Sequence, residues 1–273
     1  NCPPELRDCA ASGEAESRTL IERWHGRERL LYAVTPRFAC TSTPAQMESA
    51  ARLFAQHPGL YLQSHLAESR GEVEWTARLH PAARSYLDVY ARAGLLRERS
   101  VYAHCIHFDD DDRALMRERG AAAAVCPTSN LFLGSGFFDF GAARRQDMLH
   151  GLASDVGGGT SLSPFATMRA AYDVGREGQT KKGLSLSPSA LWHLHTWGAA
   201  QALGLGDRVG NLAPGFEADL IALDPSATPL LARRTAQADS LEEWLFAMII
   251  LADDRAVRRM VIDGRELQPA TPT

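Results

Sequence analysis

In the stretch LQSHLAES an apolar run stops at Ser64. An imidazole, His65, and a carboxylate, Glu68, follow three residues apart, just before helix-forming sequence resumes. His104 closes a second apolar run, SVYAH, and Asp155 a later one, GLASD. Two imidazoles and a carboxylate at the ends of separate strands make the donor set of a divalent metal such as zinc. Glu68, on the turn beyond His65, is better placed to pass protons than to ligate. A single histidine at a strand end is most often a hydrogen-bonded structural residue. Several polar strand ends are harder to explain as packing, and Arg37 after LLYAVTP and Thr128 to Asn130 after AAAAVCP extend the set.

Other candidates carry a plainer reading. His193 and His195 form an H-x-H, but LWHLHTWGAAQALGL reads as helix, where residues two apart point in different directions, so both are expected to be structural. His107, three residues past His104, faces the other side of a continued strand and suits helix packing. Cys126 before Pro127 reads as a small buried hydrophobe rather than a nucleophile. Gly157 to Gly159 lack the spacing of a phosphate loop and suit a sharp turn or close backbone approach after Asp155.

The elements that must position these residues alternate. LLYAVTPRF reads as a strand ending at Arg37, followed by a helix with Thr43 as cap, Pro44 in its first turn and Gly59 past its end. LYLQSH is the next strand, and Ser69 with Glu72 makes a capping box for the helix through GEVEWTARL. SVYAHCIH leads to the acid-rich helix start DDDDRALMRERG, suited to the positive end of a helix dipole. AAAAVCPTSN and GLASDVGGG repeat the design, the latter leading to a helix with Ser163 as cap and Pro164 in its first turn. Five strands alternating with helices call for a parallel α/β sheet, and the polar strand ends favour a (β/α)8 barrel, whose loops converge on one mouth. After about residue 200, GNLAPGFEADLIALDP and RRMVIDGREL read as short strands of a small β layer, with LEEWLFAMIILADD as a helix between them.

Composition excludes several classes. The 273 residues carry a net charge of −4, which offers no basic field for nucleic acid, and no apolar stretch is long enough to suggest a membrane span. Five cysteines without a CxxC pair favour a reducing, cytoplasmic setting. The chain opens NCPPELRDC, with neither an initiator Met nor a signal peptide.

TPRF, SHLAE, AHC, CPTSNLFLGSG, SDVGGGTS and GNLAPGFEADLIALDP, in that order from about Val34 to Gly264, resemble the guanine deaminases of the metal-dependent amidohydrolase superfamily. The resemblance implies hydrolysis of guanine to xanthine and ammonia in purine catabolism, with one zinc (or iron) per subunit and a homodimeric assembly. It makes His65 a metal ligand from the fifth barrel strand, and Asp155 both a ligand and a proton acceptor from the eighth. His104, on the sixth, would stand beside the metal and orient water or substrate. Glu68 would shuttle protons to a ring nitrogen and the leaving amine, Arg37 would bond the purine carbonyl, and Phe38 would stack on the ring. A bound divalent cation brings a water's pKa toward neutrality, so that hydroxide is available to attack the amidine-like carbon.

The family's H-x-H at the end of the first barrel strand has no counterpart at any strand end here. The expectation is therefore a chain that starts just before strand four, the C-terminal portion of a longer protein, inactive by itself. Residues 1–206 would hold barrel strands four to eight, 207–240 and 256–273 segments of a β-sandwich, and 241–255 a helix returning to the barrel. The alternatives are a deaminase of another purine, a pterin or a triazine ring, and a non-catalytic remnant.

Overall fold

Leu60, Leu62 and Leu66, all at most 1% exposed, alternate with Tyr61, Gln63 and His65 along a strand whose buried face is apolar except for Ser64. This computed structural model describes residues 3–178 and 184–267, so Cys2 and part of the 256–273 segment lie outside the described residues. The chain forms two compact units, Asn1–Val125 with Phe138–Leu149 and Cys126–Phe137 with His150–Thr273.

The first unit runs α1 (Ala10–Trp24), β1 (Ala33–Val34), α2 (Pro44–Gln56), β2 (Tyr61–Leu66), α3 (Arg70–Leu79), α4 (Tyr86–Arg92), β3 (Ser100–His104), α5 (Asp110–Glu118) and β4 (Ala122–Val125). These strands are parallel in the order β1-β2-β3-β4, with Ala33 opposite Tyr61, His65 opposite Ala103 and Val101 opposite Ala122. The helix starts follow the sequence signals. Thr43 and Gln46 close one capping box, Ser69 and Glu72 another, and the Asp109 side chain accepts from the Asp112 N–H at 2.8 Å. Such a cap contributes about 1 kcal/mol. Tyr90, Tyr102, Phe54 and Leu87 fill the core, with Tyr90 stacked on Tyr86 at 5.9 Å and tilted against Tyr102 at 4.9 Å. The strand expected to reach Arg37 stops at Val34, because Pro36 has no N–H to offer a ladder.

The second unit opens with α6 (Pro127–Leu133); α7 (Phe140–Arg145) belongs to the first. It continues through β5 (His150–Leu152), α8 (Pro164–Gly178), α9 (Pro188–His195), α10 (Trp197–Ala202), β6 (Leu220–Leu223), α11 (Pro229–Thr235), α12 (Leu241–Leu251), β7 (Val257–Ile262) and β8 (Arg265–Glu266). A proline opens α6, α8, α9 and α11, where its missing N–H costs nothing. Two expectations change here. Thr128 to Asn130 form part of α6 rather than a strand-end loop, and residues 229–235, inside the stretch read as β-sandwich, form a helix capped by Thr228. The strands β6, β7 and β8 make a small antiparallel sheet. Helix α12 lies on α8, α9 and α11, with Met248 and Ile249 wholly buried, Phe246 at 5.1 Å from Tyr172, and the Trp192 indole N–H donating to the Leu245 carbonyl at 3.4 Å. No helix among the described residues is long and apolar enough to cross a membrane.

Gly151 on β5 brings that strand against α10: a Cβ there would lie 2.6 Å from Ala199 Cα. Gly151→Ala is expected to destabilise the protein by about 1–3 kcal/mol, the cost of overpacking against backbone. Urea denaturation of the variant measures it.

Candidate active site

At the end of β2 the ring of His65 is half-buried, and its Nδ1 lies 2.9 Å from the Arg37 carbonyl oxygen. A carbonyl only accepts, so Nδ1 carries the proton, and in the neutral ring Nε2 is left with the lone pair. The same carbonyl accepts from the His65 backbone N–H at 3.0 Å. The next residue, Phe38, sets its ring 6.0 Å from the His65 ring, with the Arg37 guanidinium 5.5 Å from the Phe38 ring centre. Arg37 itself is exposed.

His104 is 1% exposed. Strand alternation would send its ring to the face opposite His65, since Ala103 is the residue in register with His65. Its backbone φ of +73°, followed by +50° at Cys105, breaks the alternation, and the two imidazole centres come to 5.5 Å. Glu68 leaves β2 through Ala67, at φ +50°, and its Oε2 stands 3.6 Å from His104 Nε2. The Glu68 turn is held from behind: the Glu72 carboxylate accepts from the N–H of Glu68 at 3.1 Å and of Ser69 at 3.3 Å. The Ala67 carbonyl in turn accepts from the N–H groups of Ile106 and His107, both at 3.1 Å. His107 is half-buried and lies beyond the end of β3.

Thus the first unit brings together Arg37, Phe38, His65, Glu68 and His104. Asp155 belongs to the second unit, three residues past β5 in a turn at φ +49°. There, Gly158 lies against Asp155 and Ser129: a Cβ on it would fall 2.9 Å from Ser129 Oγ and 3.0 Å from Asp155 Oδ2. Ser129 Oγ is buried and has no hydrogen-bond partner among the described residues, so the glycine leaves a small polar cradle beside the carboxylate. Thr128 Oγ1 donates to the Ser154 carbonyl at 3.3 Å, and Cys126 is buried at the start of α6. His193 and His195 sit in the last turn of α9, His193 edge-on to Trp197 at 5.8 Å; burial lowers the pKa of His195. Tyr90 and Ser64 were not singled out in sequence as site residues, because a core tyrosine on a short helix and a serine closing an apolar run look like packing; Ser129 entered only as part of the Thr128 to Asn130 segment.

The donor chemistry fits a divalent metal. The tautomer of His65 offers Nε2, and a backbone carbonyl on the opposite nitrogen is the usual outer support of a ligating histidine. Imidazole and carboxylate donors of the kind present here suit zinc.

The amidohydrolase family model matches residues 1–267, and the chain belongs to that family, with its TIM-type α/β fold. It is 42% identical to the guanine deaminase of Escherichia coli (strain K12) over 265 residues, which is 97% of this chain and 60% of that protein. The solved structure of E. coli guanine deaminase superposes with a TM-score of 0.95 at 41% identity, covering 99% of this chain and 62% of that one. A guanine deaminase from C. acetobutylicum, solved with guanine bound in its active site, gives 0.89 at 25% identity, over 98% and 63% of the two chains. The chain spans about 60% of the length of the curated relatives it matches.

Glu72 supplies two of the bonds that shape the Glu68 turn. Glu72→Ala is expected to cost about 1 kcal/mol of stability, the usual value of a cap, while Glu72→Gln, whose amide oxygen accepts the same N–H groups, loses less. Chemical denaturation of the two variants separates them.

Proposed function

We propose that this chain carries the site of a guanine deaminase, which hydrolyses guanine to xanthine and ammonia with one zinc ion per subunit. The observation that carries the reading is the grouping of a lone-pair-bearing imidazole, a second buried imidazole, a carboxylate 3.6 Å from it, and an Arg-Phe pair on the adjoining segment. The likeness to proteins named guanine deaminases supports the choice of ring.

In this reading His65 and Asp155 hold the metal. When bound, the cation supplies a water acidic enough to react near neutral pH. Arg37 donates to the purine carbonyl through fixed N–H groups, and a site built on that bond disfavours rings without it. Phe38 offers its face to the ring. The attacking water brings two protons: Glu68 takes the first and gives it to a ring nitrogen, while Asp155 accepts the second as the added hydroxyl becomes the carbonyl. That proton is passed on, with Glu68 as shuttle, to the departing amine, which leaves as ammonia only once protonated. His104, buried beside Glu68, orients water or substrate. The reading also makes the protein a cytoplasmic homodimer of purine catabolism, in keeping with the free thiols of Cys9, Cys40, Cys105 and Cys126. It keeps residues 1–206 as barrel, 207–240 and 256–273 as β-sandwich segments, and 241–255 as the returning helix.

The test is ammonia release from guanine, adenine and a triazine by the zinc-supplied protein in its full length. Glu68→Gln is expected to lower kcat by about 10²- to 10⁴-fold with zinc content unchanged, as loss of a positioned acid-base does. Arg37→Ala should lower kcat/KM for guanine by roughly 10- to 150-fold, the worth of a charged hydrogen bond. Undiminished turnover by Glu68→Gln removes that residue from its role, and preference for another ring removes guanine.

A further inference from the structure

Tyr90 sits on α4 with its ring wholly buried, yet its hydroxyl reaches the polar ends of two segments that carry the site. It accepts from the Ala39 N–H at 3.0 Å and donates to the His65 carbonyl at 2.8 Å. Ser64 Oγ lies 2.8 Å from the same hydroxyl, 2.8 Å from the Pro36 carbonyl and 3.2 Å from the Arg37 carbonyl. One phenol and one serine hydroxyl therefore tie residues 36–39 to the last residues of β2.

That tie has work to do, because residues 36–39 lack the usual means of holding register. The ladder of β1 ends at Val34, Pro36 has no N–H, and a 3-10 turn begins at Ala39. From the main chain, the His65 N–H donates to the Arg37 carbonyl at 3.0 Å and joins this segment to the end of β2. The Arg37 carbonyl is also the acceptor that fixes the His65 tautomer. We propose that Tyr90, acting with Ser64, is a positioning residue for the metal-binding imidazole: its hydroxyl keeps the Arg37 carbonyl against Nδ1 of His65 and so leaves Nε2 free to ligate.

This inference rests on the proposed function only in taking His65 as a ligand. Burial pushes the Tyr90 phenol pKa upward, against the opposing bonds from Ser64 and Ala39, so the hydroxyl keeps its proton under assay conditions. Tyr102 provides a matched comparison. It is equally buried, touches the Tyr90 ring, and donates its own hydroxyl to the Leu95 carbonyl at 2.9 Å; among the described residues that hydroxyl makes no bond to residues 36–39 or to the end of β2.

The experiment compares Tyr90→Phe and Tyr102→Phe in the whole chain, each of which deletes one buried hydroxyl and keeps the ring. The imidazole nitrogens of His65 are read by two-dimensional 1H–15N NMR of metal-free protein at about pH 8.5, where a histidine is neutral; a His65→Gln spectrum assigns the signals. The wild type and Tyr102→Phe are expected to show the Nδ1–H tautomer alone, and Tyr90→Phe a mixture with the Nε2–H form. Zinc affinity by chelator competition should fall about 10- to 100-fold in Tyr90→Phe, as for other outer-shell partners, and stay within about 2-fold in Tyr102→Phe. Ser64→Ala, a smaller change that removes the second hydroxyl, should move the tautomer in the same direction and decides the matter if Tyr90→Phe does not fold. A wild-type tautomer and wild-type affinity in the folded Tyr90 or Ser64 variant, or an equal change in Tyr102→Phe, overturns the proposal. Because the tautomer is read without metal or substrate, failure to deaminate guanine would count against the proposed function alone.

Discussion

The Arg37 carbonyl is the acceptor on which the arrangement of the first unit depends. It takes the backbone N–H and the ring Nδ1–H of the same histidine, so one oxygen sets both where His65 begins and which of its nitrogens is bare. Arg37 and Phe38, the groups assigned to the purine, are carried on the segment that supplies this oxygen. If those roles hold as proposed, ligand geometry and substrate geometry are coupled through one peptide unit: a shift of residues 36–39 would move the guanidinium, the aromatic face and the imidazole together. In the proposed reading the neutral tautomer is also the form that binds metal, which would make a backbone hydrogen bond part of the metal chemistry.

Around that bond, the chain accepts local strain. Ala67, His104, Cys105 and Asp155 all have positive φ, in a region that residues other than glycine rarely enter, at a cost of order 1–3 kcal/mol each. The strain at the ends of β2 and β3 is opposed by hydrogen bonds between the two turns. Cys105 N–H donates to the Leu66 carbonyl at 2.9 Å, and the Ala67 carbonyl takes two further N–H groups. At Asp155 the turn is closed by the Gly159 N–H on the Asp155 carbonyl, and a side chain at Gly159 would strike the Ser154 carbonyl. Gly158 and Gly159 thus serve the close approach that their position after Asp155 suggested, rather than phosphate binding.

Much of the scaffold was legible because its signals are local. Thr43 as a cap, Ser69 with Glu72, and Pro44 and Pro164 at first turns act within a few residues of themselves, and the helices begin where those residues stand. Apolar runs gave the strands, except where Pro36 ended β1 early and Pro127 turned Thr128 to Asn130 into helix. The helix at 229–235 was missed although Thr228 and Pro229 announce it in the same manner as Thr43 and Pro44. The glycine-rich, strand-like texture on either side outweighed a cap signal only two residues long.

The sequence by itself determined which side chains could do chemistry and that they lie where strands end, since residue type and hydrophobic period are properties of the chain alone. It also carried the family, because runs such as SHLAE and SDVGGGTS survive as contiguous words. Only the tertiary structure decided that His104 turns toward His65 instead of away, because a positive φ is imposed by the hydrogen bonds of a neighbouring turn and leaves no mark on strand periodicity. It alone showed that His65 presents Nε2, since a tautomer follows from an acceptor that sits 28 residues away in sequence and within hydrogen-bond reach in space.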